Sequence, residues 1–199
     1  MKTFKQHILE KLKVSVRNTN EHTLFPKTKE ELKQMIKKEI SKNGNECSLN
    51  HIDVSRITDM SRLFYWSNFN GDISDWDVSS VTNMSDMFNK SVFNKDISDW
   101  DVSSVENMDA MFYNADFDGD ISDWDVSNVE NMEVMFAYST FNGDISSWDV
   151  SNVENMGGMF QGSDFNKDIS KWNVSKVKNM IGMFYDSPLQ NNPPKWYKQ

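Results

Sequence analysis

The sequence predicts a repeat fold. The expected form is a solenoid with short parallel strands along one side, short helices along the other and an N-terminal helical cap. Three observations lead there. Trp76, Trp100, Trp124, Trp148 and Trp172 stand 24 residues apart, and Trp196 keeps the count. Each full unit carries apolar-x-x-Trp-x-Val and then apolar positions at helical spacing. Composition follows the same period: of 13 methionines, 11 are repeat positions, so the stripe reads as one core counted many times. A chain of 199 residues can bury a real core, but a 24-residue unit cannot do so alone.

Residues 1–44 come first and differ in character. They hold 11 basic and 5 acidic residues, a balance of +6. Phe4, Ile8, Leu9 and Leu12 fit one face of a first helix. The second has clearer signals: Pro26 ahead of it, Thr28 with Glu31 as a capping-box pair, and Leu32, Met35, Ile36 and Ile40 on one face. Asn43-Gly44 stops it. This segment is expected to cap the array, because an end unit otherwise exposes core.

Residues 45–188 form about six units. In the degenerate first, Leu49 takes the Ile73 place and Ile52 the Trp76 place. The second full unit shows the design. Ile97, Trp100 and Val102 read as a short half-buried strand. Val105, Met108, Met111 and Phe112 read as one face of a short helix. Ser103 with Glu106, Ser127 with Glu130 and Ser151 with Glu154 have the capping-box form. Phe-Asn-Gly-Asp and its variants close the unit with a sharp turn. Residues 189–199, with Pro193-Pro194-Lys195-Trp196, are expected to close the far end.

The spacing Ile-x-x-Trp-x-Val before a helix is similar to a leucine-rich repeat. The run DISDWDVSSVENMDAMF more closely resembles the BspA-like repeat, a domain-of-unknown-function family of mycoplasma and bacterial surface proteins. The frame FNxDISxWDVSxVxNMxxMF recurs over roughly residues 45–188. HTLFPKTKEELKQMIKKEI resembles the leader that often precedes such repeats. The resemblance implies a leucine-rich-repeat-like solenoid, sometimes adhesive and often at a bacterial surface, with no enzymatic activity.

Function is expected on two surfaces. In such a frame, the residues flanking the inward Trp point outward. Asp75, Asp99 and Asp123 head one column, which continues with Ser147 and Lys171. Asp77, Asp101, Asp125 and Asp149 form the other, begun by Asp53 and ended by Asn173. Like charges one strand spacing apart repel by roughly 1 kcal/mol in water and more at lower dielectric. Hydrogen bonds to serine or backbone, or a basic protein partner, would offset this. The second surface is the variable loop edge, with Trp66, Tyr113, Tyr138 and Tyr185; tyrosine and tryptophan are favoured at interfaces. A structural spacer and an adhesin-type surface domain are the alternatives. A calcium-binding repeat is a weaker one, since D-x-x-D-x-D matches no established calcium loop. Asp72, Asp96, Asp120, Asp144 and Asp168 are expected to hold turns instead.

Other classes find little support. Outside residues 1–44 the balance is −15, giving −9 overall, which argues against phosphate-contact nucleic-acid binding. No apolar run approaches a membrane span. The start lacks the apolar core of a signal peptide, which favours a cytoplasmic location. Cys47 is the only cysteine, so no intrachain disulfide forms. Cys47 and His51 lie close in sequence, but with no orienting third group. No cofactor is expected, and the protein is expected to be monomeric and non-enzymatic.

Overall fold

The structure is a computed structural model describing residues 22–198. The expected first helix, with Phe4, Ile8, Leu9 and Leu12, lies outside the described residues. The second is α1 (Lys29–Asn43). Its start follows the capping chemistry: the Glu31 N–H donates to Thr28 Oγ1 at 3.2 Å, and the Glu31 carboxylate accepts from the Lys27 N–H at 2.7 Å. Gly44 ends it at φ 85°, a left-handed conformation that suits glycine. Leu32 and Ile36 are buried, and Met35 and Ile40 pack at the edge of the core. Just upstream, Leu24 pairs in parallel with Ile52 of the first unit.

Beyond α1, units stack on one another at the 24-residue period. The indole N–H of each tryptophan from Trp76 to Trp196 crosses to the preceding unit, at 3.0–3.1 Å from the carbonyls of Leu49, Ile73, Ile97, Ile121, Ile145 and Ile169. Leu49 thus does stand in the isoleucine place. Phe64, Phe88, Phe112, Phe136, Phe160 and Phe184 stack in one column at 5.5–5.9 Å between ring centroids. A second phenylalanine column, from Phe69 to Phe165, runs at 6.3–6.4 Å. The two columns touch ring to ring at 4.1–4.8 Å within each unit, and the repeat methionines belong to the same core. Those from Met60 to Met159, and Met183, are fully buried. Trp76, Trp100, Trp124, Trp148 and Trp172 are nearly so, and the one polar atom of each indole has a partner.

The secondary structure of the units differs from expectation. Among the described residues there is no sheet and no named strand. Six isolated parallel bridges occur, one at Leu24–Ile52 and five joining Asp59, Asn83, Asn107, Asn131, Asn155 and Asn179 in series. Nor are there short helices along the other side. Apart from α1, the sole helical element described is a 3-10 turn at Pro188–Asn191. The α/β leucine-rich-repeat solenoid is therefore corrected to a stack of turns.

The physical reasons are local. The expected strand bends on both sides of the tryptophan: the Trp100 N–H donates to Ile97 O and the Val105 N–H to Val102 O. Asp96 and Asp101 lock these bends by accepting from the backbone N–H two residues on, at Ser98 and Ser103. The expected helix fails because its donors point elsewhere. Met108, Ala110, Phe112 and Asn114 donate forward to the carbonyls of Asn131, Glu133, Met135 and Ala137, at 2.8–2.9 Å. The residues between close tight turns, as Met111 N–H to Met108 O and Tyr113 N–H to Ala110 O. Ala110 and Asn114 take φ of 52° and 48°, which a right-handed helix excludes. The capping boxes disappear with the helices. The Ser103 hydroxyl donates to Asp101, and the Glu106 N–H donates to Thr82 O of the unit before.

Candidate functional site

The acidic columns flank buried tryptophans, so their side chains lie on the outside of the stack. There they form rows across turns, not the face of a sheet. Asp99, Asp123, Asp125 and Asp149 are exposed; Asp75, Asp77 and Asp101 are half-buried. One row is held rigidly. Oδ1 of Asp77, Asp101 and Asp125 accepts from both the hydroxyl and the N–H of the serine two residues on, with hydroxyl contacts of 2.6 Å. Asp53 and Asp149 meet Ser55 and Ser151 in the same way. The Ser151 hydroxyl and N–H lower the Asp149 pKa. At Asp53, burial opposes ionisation, but the Ser55 bonds, His22 and Arg56 outweigh it and the pKa falls. These bonds fix each carboxylate. They are the serine and backbone bonds expected to offset like-charge repulsion.

Asp72, Asp96, Asp120, Asp144 and Asp168 also hold turns, each accepting from the serine N–H two residues on. The turn held lies on the isoleucine side of each aspartate. Among the described residues no cluster of histidine, cysteine or acidic side chains is arranged to hold a metal ion.

The aromatic residues do not form one surface. Tyr113 and Tyr138 meet edge-to-face at 5.6 Å, and Tyr138 Oη accepts from Gln161 Nε2 at 2.8 Å. Trp66 lies three units away from Tyr138 in the same column, 75% exposed, with Lys90 Nζ 5.6 Å from its ring centroid. Tyr185 belongs to the far end of the stack. The small residues after each aromatic position, Ser91, Ala115, Ser139 and Ser163, are buried as their size suggests.

Two features escape sequence reasoning. Asp86, Asp109 and Glu133 gather on successive units, and burial, then Glu133, then Asp86 push the Asp109 pKa up to about 6. At the cap, Lys29 donates to Asp59 and to the Ser61 hydroxyl. The signal was present: Asp59 interrupts a column that is otherwise asparagine. Cys47 and His51 both lie near Glu39 of α1. Burial, with Glu39 behind it, pushes the Cys47 thiol up, and His51 Nε2 lies 3.7 Å from Glu39 Oε2 of α1.

No helix of the described residues is long and apolar enough to cross a membrane. No curated protein and no solved structure matches the chain. One family pattern matches twice, over residues 30–140 and again over 115–198, as overlapping copies of a repeat would. The chain belongs to the family described as "Mycoplasma protein of unknown function, DUF285".

Proposed function

We propose that this chain is a non-enzymatic protein-binding scaffold, related to the BspA-like repeats, whose aspartate rows engage a basic segment of a partner. The observation that carries this reading is the serine-locked row Asp77, Asp101, Asp125 and Asp149. A carboxylate already fixed by two local bonds loses little further freedom when a lysine or arginine docks on it. Rows of one sign also steer an oppositely charged partner and set its register. The Tyr113–Tyr138 pair offers an aromatic contact on another edge of the same units.

The test is a triple variant, Asp77→Asn, Asp101→Asn and Asp125→Asn. Asparagine retains an oxygen for the serine bonds, so the turns persist while the charge is lost. Lysine-rich peptides and captured host proteins should bind the variant more weakly and with less salt dependence. Equal affinity and equal salt dependence would reject the reading.

A further inference from the structure

Serine bonds settle the aspartate rows, but another acidic group in the stack has no such support. On the run that carries Tyr113 and Tyr138, successive units place Asp86, Asp109 and Glu133 next to one another. The backbone fixes their order: the Asp86 N–H donates to Asp109 O at 2.8 Å and the Ala110 N–H to Glu133 O at 2.9 Å. Asn107 Oδ1 and Asn131 Oδ1 hold the Asp109 and Glu133 N–H groups at 3.0 Å. All three acidic residues are half-buried. Asp109 and Glu133 have no ion pair among the described residues. The nearest cations are turned elsewhere. Arg62 lies over the Tyr65 ring and reaches only Asp86, at 3.8 Å, and Lys90 Nζ is turned back to Trp66. Burial, then Glu133, then Asp86 push the Asp109 pKa up to about 6, and no cation pulls it down. A further unmet acceptor adjoins the group. Asn89 is 7% exposed and its Nδ2 donates to Asp86 Oδ1. Its own Oδ1, at the other end of that amide, therefore lies beside the Asp86 carboxylate, and it has no hydrogen-bond partner among the described residues.

We propose that this group is the socket for one arginine side chain of a partner protein, seated on Asp109 between Asp86 and Glu133 with Tyr113 as its aromatic wall. The proposal rests on the basic partner inferred above and names the residue that anchors it. The group is rich in acceptors and short of donors. A metal ion does not answer it, since among the described residues no three acidic side chains converge to hold one. A guanidinium is broader. Its five N–H groups form a planar fork that bridges carboxylates one unit apart, about 4.8 Å, and its plane stacks on aromatic rings. One N–H turns towards Asn89 Oδ1. Tyr113 shares a unit with Asp109, and Tyr138 meets it edge-to-face from the unit of Glu133. A lysine brings only three donors, on a point charge, and answers fewer of the acceptors. The fold keeps a carboxyl at Asp109 that it would be more stable without, as sites built for a charged ligand do.

The probe is acetyl-Gly-Arg-Gly-amide, titrated into the full-length protein and followed by NMR. Saturable shifts are expected at Asp109, Tyr113 and the Asn89 side-chain amide. The citrulline peptide, which keeps the shape and loses the charge, should not bind, and the lysine peptide should bind several-fold more weakly. Affinity should rise about tenfold from pH 5 to pH 7, because the proton that competes with the guanidinium leaves Asp109 as pH passes about 6. Asp149 of the serine-locked row, whose pKa is lowered, gives no such dependence. Asp109→Asn should weaken binding about fivefold or more and remove the pH dependence. That substitution relieves repulsion, so a thermal melt no lower than the wild type's excludes unfolding as the cause. The Asp77, Asp101 and Asp125 triple variant should change affinity by about twofold at most. Three results would overturn the proposal: no saturable shift at Asp109; equal binding by either control peptide; or binding lost in the triple variant and kept in Asp109→Asn, which seats the arginine on the rows. The last leaves the scaffold reading standing. Unaltered capture of lysine-rich peptides by the triple variant, with arginine still held at Asp109, would strike that reading and leave the socket.

Discussion

Lys29 Nζ stands 3.1 Å from both carboxylate oxygens of Asp59, tying α1 to the first unit where later units carry asparagine. The pair is partly exposed, with Lys29 the better covered, so its coupling should be modest. A double-mutant cycle of Lys29→Met and Asp59→Asn, read by denaturant melts, should give about 0.5–1 kcal/mol at low salt and fall towards zero in molar salt.

Trp124→Phe tests the ladder of indole bonds. It removes one of two donors to Ile97 O, the other being the Trp100 N–H, and opens a gap in the core beside it. The expected loss is about 2–3 kcal/mol. Trp196→Phe, at the half-buried end, should cost less than half as much. Chemical denaturation of the two variants side by side decides it.

Asp109 should make the protein more stable in mild acid. Its pKa rises from 3.8 to about 6 on folding, so the fold favours the protonated form. That contribution is complete below the unfolded pKa and is lost as pH rises through about 6. The group is only half-buried, so screening reduces the effect to about 1 kcal/mol. Asp59, Asp72, Asp144, Asp149 and Asp168 run the other way. Their pKa values are lowered, and the stability they add disappears as pH falls below the ordinary carboxylate range. Melts across pH 3–8 should therefore peak at about pH 4–6. Asp109→Asn should raise stability at pH 8 and flatten the neutral limb.

Gly71→Ala should be far more damaging than Gly143→Ala, although the two are repeat equivalents. A Cβ at Gly71 would lie 1.9 Å from the backbone carbonyl of Cys47. At Gly143 its nearest neighbour is the Phe141 ring at 2.8 Å, and the same place holds Lys95 and Lys167 in other units. We expect about 3 kcal/mol or more at Gly71 and about 1 at Gly143, measured by thermal unfolding.

The sequence made the period, the core columns and α1 legible. Trp76 through Trp196 set the count, and Thr28, Glu31 and Gly44 mark a helix whose ends follow local chemistry. It misled on what lies between. Val105, Met108, Met111 and Phe112 fit a helical face, yet the same spacing serves a run of tight turns whose alternate N–H groups leave for the next unit. The residues at positive φ betray little by type: Asp86, Ala110, Val134, Gly158 and Gly182 share one place in successive units. For Val134, at φ 44°, neighbouring units impose a conformation that its β-branch disfavours. Better evidence for turns was the Asp-x-Ser spacing on either side of Trp76, Trp100, Trp124 and Trp148. Of the expected site, the serine-locked aspartates were readable from that spacing. The separation of Trp66 and Tyr185 from the Tyr113–Tyr138 pair was not, because it depends on which units they occupy.

The forward-pointing N–H groups also give the stack an electrical direction. Each peptide carries a dipole of about 3.5 D, and neighbouring strands of ordinary sheets largely cancel theirs. Along the run from Met84 to Lys90, four N–H groups point to the next unit, while the carbonyls of Asn83, Ser85, Met87 and Asn89 accept from the unit before. The peptides entering and leaving the run are reversed, since Thr82 O faces forward to Glu106 and Ser91 O to Asp116, which leaves four aligned against two. Repetition adds these aligned peptides end to end. The carbonyls of this run face the cap and its N–H groups face away from it. Lysine-rich α1 stands on the carbonyl side, so charge and backbone polarity agree there. A field of this kind tells a partner which end of an otherwise periodic molecule it has reached.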